Sequence, residues 1–249
     1  MDNSLLISLS QQLAAYRSID VIANNLANAS TPGFKREAAK FEEYIARVRP
    51  AEDQKGPQYL SFVKGAGVMR DLGQGELTST GAPLDFAING KGFFAVQTPA
   101  GMRYTRDGHF TLDQNGQLVT SDGYPVQGDG GAITITPDDG QVSVGPDGTI
   151  SSILNGASNQ IGKLQVVDFP NERAMVKQGA NLYGTAQAPL PALNTTIAQH
   201  MLEGSNVSPV IEITHMVEVM RAYQATATLS NSEENLKRQA IEKLGSIPN

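Results

Sequence analysis

Eight times between Asn89 and Gly156 the chain places a turn-forming pair: Asn89-Gly90, Asp107-Gly108, Asn115-Gly116, Asp122-Gly123, Asp129-Gly130, Asp139-Gly140, Asp147-Gly148 and Asn155-Gly156. Asn-Gly and Asp-Gly reach the positive φ angles of tight hairpin turns with little strain, so they mark short antiparallel strands. The apolar residues between them alternate, as half-buried strands require: Leu84, Phe86 and Ile88; Phe94 and Val96; Phe110 and Leu112; Ile133 and Ile135; Val142 and Val144; Leu164 and Val166. So many local reversals leave room for an antiparallel β-body and little else.

The two ends follow a different period. From Ser4 to Asn28 the apolar residues Leu5, Leu9, Leu13, Tyr16, Ile19, Ala23 and Leu26 recur at steps of three and four, one face of a helix. Asn3 or Ser4 supplies an N-cap, and Ser30-Thr31-Pro32-Gly33 stops the helix. A rod of roughly 37 Å follows from 1.5 Å per residue. At the other end Ser208-Pro209 reads as a cap followed by proline at the first helical position, with Glu212 one place late for a capping box. Ile213, Met216, Met220, Tyr223 and Ala227 form a heptad-like seam that drifts and resumes at Leu229, Leu236, Ala240 and Leu244, before Gly245 and Pro248. Its length of roughly 52 Å suits a rod or coiled coil. Both helices exceed what a small β-body needs for cover, and a narrow seam favours helix-on-helix packing over packing on a sheet.

Between these regimes lie Pro50, Gly56, Pro57, Gly65, Gly67, Gly73 and Gly75, which read as an extended connector with a single strand near Tyr59 to Val63. The fold expected is therefore α+β. Residues 1–32 and 206–249 form a discontinuous, coiled-coil-like terminal helical domain, 33–75 the connector, and 76–205 a central antiparallel β-rich domain.

Composition narrows the function. A net charge of −6 supplies no basic footprint for nucleic acid. The densest basic cluster (Lys35, Arg36, Lys40, Arg47, Arg49) alternates with Glu37, Glu42 and Glu43, as a solvated face does. The absence of cysteine excludes disulfides, thiolate metal sites and cysteine nucleophiles. No stretch is apolar enough to span a bilayer. The amino terminus has no basic n-region, its first positive side chain being Arg17, so a role outside the cytoplasm requires a route other than a cleaved secretory signal.

Catalytic patterns are missing as well. His109, His200 and His215 stand far apart, without metal-ligand spacing. Gly-x-Ser-x-Gly and Walker A sequences do not occur, and Gly65-Ala66-Gly67 and Gly73-Gln74-Gly75 lack the rest of a dinucleotide fingerprint. Asp138, Asp139 and Asp147 are explained by turn chemistry without a calcium ion. The expectation is a non-enzymatic protein without cofactor or metal. A secreted glycan-binding or glycan-cleaving β-protein is the alternative of a different class, with Asp85, Asp107 and Asp113 as its carboxylates by default.

The segment Ala23-Asn24-Asn25-Leu26-Ala27-Asn28-Ala29-Ser30-Thr31-Pro32-Gly33-Phe34-Lys35 resembles the signature of bacterial flagellar axial proteins, the family of rod, hook and hook-associated subunits. Pro83 to Phe94, Tyr104 to Gly108 and Leu118 to Val126 resemble the central domain of its rod and hook members. Gly204-Ser205-Asn206-Val207 and Met220-Arg221-Ala222-Tyr223-Gln224 resemble their carboxyl-terminal helix. The resemblance runs in order along nearly the whole chain. Met1-Asp2-Asn3, Ala29 to Phe34 and Leu202 to Val210 sit closest to the proximal rod members, with the distal rod as nearest competitor. A hook subunit carries a further outer domain for which this chain has no room.

The resemblance implies a structural subunit of the basal-body rod, the drive shaft that crosses the periplasm. It implies type III export without a cleaved signal, terminal helices lining the inner tube, and an outward β-domain. The implied partners are other rod subunits, copies of the same chain and the export apparatus. Neither nucleic acid nor a membrane span is implied. The expected assembly interface comprises Leu5, Leu9, Leu13, Tyr16, Ile19, Ala23, Asn24, Asn25, Leu26 and Asn28 on the first helix. On the second it comprises Ile213, Met216, Met220, Tyr223, Ala227, Leu236 and Leu244.

Overall fold

The computed structural model describes residues 3–48, 58–136, 140–154, 157–179 and 181–245. They fall into two compact units, one built from the segments ending at Ala27, Glu37–Asp71 and from Ser208 onward, the other from Asn28–Arg36 and Leu72–Val207.

The first unit holds helix α1 (Asn3–Ala27), strands β1 (Glu37–Val48) and β2 (Gln58–Arg70), and helix α2 (Pro209–Gly245). α1 ends in a turn in which Thr31 N–H donates to the Asn28 carbonyl at 3.1 Å, with Pro32 immediately after. Pro209 opens α2, where a missing N–H costs nothing, and Glu212 N–H donates to the Ser208 carbonyl at 3.0 Å to close the first turn. Glu212 also sets a negative charge at the positive end of the helix. α1 packs along α2. Asn25, near the end of α1, bonds Glu212, near the start of α2, so the two run antiparallel. α2 is a dozen residues longer, about 18 Å of extra rod.

The expected connector differs from what is found. Within 33–75, β1 and β2 form a long antiparallel hairpin, in register from Glu37↔Arg70 to Val48↔Gln58 with a bulge between Lys40 and Phe41. Pro50, Gly56 and Pro57 lie outside the described residues, while Gly65 and Gly67 sit inside β2. Both glycines lie opposite that bulge, where Gly67 takes a positive φ. Period-2 alternation is weak because Tyr44, Ile45, Val68 and Met69 are exposed; apolar residues stand on more than one side.

In the second unit the largest sheet, among the described residues, has six strands in the order Val176–Lys177, Leu182–Gly184, Gly101–Thr105, Phe93–Thr98, Val166–Asp168 and Leu190–Pro191. Phe93–Thr98 is buried on both faces. Phe94 and Val96 join a core with Phe86, Ile88, Phe110, Leu118 and Ile150, while Phe93 and Ala95 join a second with Tyr104, Phe169 and Tyr183. Edge-on ring pairs brace each core, Phe94–Phe110 at 5.3 Å and Tyr104–Phe169 at 4.7 Å between centroids. A meander of Gln141–Val144, Thr149–Leu154 and Ala157–Lys163 packs beside them.

The Gly-rich pairs meet several fates. Gly116, Gly123 and Gly148 take positive φ in tight reversals. Gly108 does not, and is needed because a Cβ there collides with the Phe86 carbonyl. Asp139 and Asn155-Gly156 lie outside the described residues.

Candidate assembly interface

In the first unit the shielded side chains of α1 include Ser8, Gln12, Ala15, Ile19, Ile22 and Leu26, at alternating steps of four and three, with Asn25 buried beside them. On α2 they include Glu212, Met216, Val219, Ala227, Ser230, Glu233 and Lys237. Both stripes mix small or polar groups with apolar ones, Ile19, Ile22 and Leu26 on α1 and Met216 and Val219 on α2. Of the residues singled out by apolar spacing, Ile19, Leu26, Met216 and Ala227 fall on or beside these stripes. Leu9, Leu13, Tyr16, Ala23 and Asn24 on α1, and Ile213, Met220, Tyr223, Leu236 and Leu244 on α2, are exposed. Leu5 belongs to α1, but its side chain lies outside the described set. Apolar spacing thus missed the shielded polar positions, because hydrophobic periodicity is blind to a stripe of Ser, Gln and Ala.

The exposed groups are large: Leu13 is 55%, Tyr16 60%, Leu236 66% and Leu244 72% accessible. Exposed apolar groups gathered in patches are characteristic of contact surfaces in general.

The antiparallel pair is anchored where α1 ends. Asn25 is fully buried; its Oδ1 accepts from Glu37 N–H at 2.9 Å, and its Nδ2 donates to the Glu37 carbonyl at 2.7 Å. The same Nδ2 reaches the buried Glu212 carboxylate at 3.0 Å. One amide therefore copies a strand's pairing with β1 while holding α2. Arg70 closes the far side of this start of the hairpin with a 2.9 Å ion pair to Glu37. Asn28, half-buried, accepts from the Thr31 hydroxyl at 3.3 Å.

The segment after α1 builds a second cluster, wholly within the β-rich unit. Gly33 sits at φ +67°, and a Cβ there collides with the backbone of Arg106 and Asp107. Phe34 is fully buried, with the Lys177 ammonium 4.2 Å from its ring centroid. Lys35, also buried, pairs with Glu203, whose other oxygen accepts from Arg106 at 3.2 Å. Burial pushes the Arg106 guanidinium below its ordinary value, and the Glu203 charge opposes that shift. The basic cluster that holds Lys35 read as a solvated face, but Lys35 is buried against Glu203, and Glu203 and Arg106 were missed because no local pattern marks them.

The carboxylates considered for glycan chemistry hold local structure. Asp85 accepts from the Thr80 hydroxyl at 2.6 Å and lies 2.7 Å from His109 Nδ1. Asp107 accepts His109 N–H at 3.0 Å, and Asp113 accepts the N–H groups of Asn115 and Gln117. Thr149 bonds hold the Asp147 carboxyl below its usual range. Asp138 and Asp139 lie outside the described residues. Among the described residues no three His, Asp or Glu side chains are placed to hold a metal ion, and no helix is long and apolar enough to cross a membrane.

Three family patterns match the chain: the one described as flagella basal body rod protein at residues 6–35, the flagellar hook protein FlgE/F/G D1 domain at 87–152, and the flagellar basal body rod FlgEFG protein C-terminal at 198–242. The chain is similar to the flagellar basal-body rod protein FlgF of Caulobacter vibrioides, 44% identical over 250 residues that span 99% of this chain and 100% of the relative. It is 36% identical to FlgF of Mesorhizobium japonicum over 99% of each chain. It is also 37% identical to the rod protein FlgG of Buchnera aphidicola subsp. Schizaphis graminum, over 98% of this chain and 99% of the relative.

Proposed function

The chain belongs to the flagellar basal-body rod protein family, and from that premise we propose that it is a subunit of the proximal rod whose terminal helices join it to its neighbours. It is a structural, non-enzymatic protein of the basal body. The observation that carries the assembly reading is the set of large apolar side chains, Leu9, Leu13 and Tyr16 on α1 and Met220, Leu236 and Leu244 on α2, left exposed while the two helices pack along each other. The heptad-like steps of the shielded stripe support a coiled-coil-like hairpin inside each subunit. The exposed side chains then meet the next subunit through contacts that propagate along an axis instead of closing. In this reading Leu5, Ile19, Ala23, Asn24, Leu26, Asn28, Ile213, Met216, Tyr223 and Ala227 complete or support that interface. The α-helical segments at both ends serve assembly, and the β-rich unit forms the body.

The proposal extends to placement: the subunit stands in the periplasmic rod, delivered by the flagellar export apparatus without signal cleavage. Amino-terminal sequencing of the protein from purified basal bodies is expected to begin at Met1 or Asp2. The main test is deletion of the chain followed by electron microscopy of basal bodies. Rods stalled near the inner-membrane ring, restored by the wild-type chain, are the expected result; complete rods in the deletion strain overturn the reading. A distal position is the second reading, favoured by the full-length similarity to FlgG. Antibody label on isolated rods separates the two by its distance from the inner ring.

A further inference from the structure

We propose that Lys35, Glu203 and Arg106 form a torsional clasp, which binds together the three segments through which the β-rich unit receives and releases the chain. The inference rests on the rod reading, since it concerns load. Gly33–Arg36 runs on into β1, Leu72 follows the end of the hairpin, and Val207 precedes α2. Next to each of these passages the chain is stitched to the other two. Gly33 N–H donates to the Glu203 carbonyl at 2.7 Å, Gly204 N–H to the Glu76 carbonyl at 2.8 Å, and Asn206 N–H to the Phe34 carbonyl at 3.4 Å. The Asn206 side chain accepts from Arg36 N–H at 2.7 Å and donates to the Gly73 carbonyl at 3.0 Å.

Glu203 is the knot. One oxygen takes Lys35 and the Gly75 N–H at 2.9 Å, and the other takes Arg106. Lys35 also donates to the Gly73 carbonyl at 2.9 Å, and Arg106 to the Gly90 carbonyl at 2.9 Å. The side chains of Glu203, Lys35 and Arg106 are 0%, 1% and 4% exposed. A buried ion cluster of this kind adds little stability over well-packed apolar groups. What it does supply is direction: each bond fixes one segment against another, with few alternative arrangements. Three unlinked segments twist separately about their soft dihedrals; stitched around one carboxylate they resist twist as a unit. That property suits a subunit that turns under load.

The test uses the full-length chain with Lys35→Met and, as a milder variant that keeps every buried charge, Asn206→Ala. Hydrogen exchange is expected to quicken by about tenfold at the Gly33, Gly75 and Gly204 amides, while the core amides of Phe94 and Val96 keep their rates. Equal acceleration everywhere, or none at the three glycines, overturns the clasp. In cells, strains carrying the variants are expected to build flagella in normal number and rotate normally in dilute medium, but to lose speed in viscous medium. Unimpaired rotation at every load overturns the clasp and leaves the rod reading standing. Absence of the wild-type chain from purified rods instead removes the rod reading itself. Should Lys35→Met fail to fold, Asn206→Ala carries both measurements.

Discussion

Asn25 bonds two chain segments with one amide, and both Asn25 and the Glu212 carboxylate it reaches are fully buried. Replacement by Ala leaves the Glu37 backbone and the Glu212 carboxylate without this partner. It is expected to destabilise the helical unit by about 2–3 kcal/mol, read from urea unfolding followed by helical circular dichroism. Asp107 gives the opposite sign. Burial raises its carboxyl above the ordinary 3.8, a backbone bond from His109 only partly opposing, so the fold disfavours the charged form. Its contribution is intact below pH 3.8 and is lost as pH rises through the folded-state value. Asp107→Asn keeps an acceptor for His109 and cannot ionise. Its melting temperature is expected to exceed wild type at neutral pH, at about 2–4 °C per kcal/mol gained, with the gap closing below pH 3.8. A gap that persists in acid contradicts this account. Residues of this kind were partly legible in the sequence. Asn25 stood out as a poor helix former in a helix. Glu203 did not, because its partners lie 168 and 97 residues away and no local pattern encodes them.

The helices and the β-body were legible at the scale of elements, since their periods of about 3.6 and 2 are written in the apolar residues. The face each helix turns inward was legible only in part, because Ser8, Gln12 and Ala15 share it with Ile19, Ile22 and Leu26 on α1. The β1–β2 hairpin was not legible: its exposed apolar residues break alternation, and its glycines answer to a bulge, not to turns. The two helix faces give contrasting expectations. Leu9→Ser together with Leu13→Ser removes exposed groups, so each is expected to change the stability of the isolated protein by no more than about 0.5 kcal/mol, yet swimming in soft agar is expected to fail. Ala15→Leu places bulk on the shielded stripe and is expected to cost about 1–3 kcal/mol by overpacking, measured on the same protein. Normal swimming by the double serine variant removes the exposed side chains of α1 from the interface.

At the scale of the molecule, the two units differ in what holds them. The β-rich unit has two aromatic-rich cores of its own, whereas the helical unit is held by a mixed seam of polar and apolar groups, the Asn25 anchor and a two-stranded hairpin. Deleting residues 1–27 therefore separates them. The body keeps Asn28–Arg36 and both cores, so its near-ultraviolet dichroism from Tyr104, Tyr183 and their neighbours is expected to persist, with a melting temperature within about 2 °C of wild type. α2 loses its partner, and a helix whose inward stripe carries Glu212, Ser230 and Glu233 has little to hold it alone. The helical signal is then expected to fall by more than the 25 residues of α1, because part of α2 melts with it. A loss confined to those 25 residues shows α2 to be self-sufficient and contradicts mutual support of the pair. The truncated chain is expected to leave a deletion strain non-motile although its body is folded, because the surface it lacks is the one that meets the next subunit. Swimming restored by such a chain removes the terminal helices from assembly and places the contacts in the β-rich unit instead.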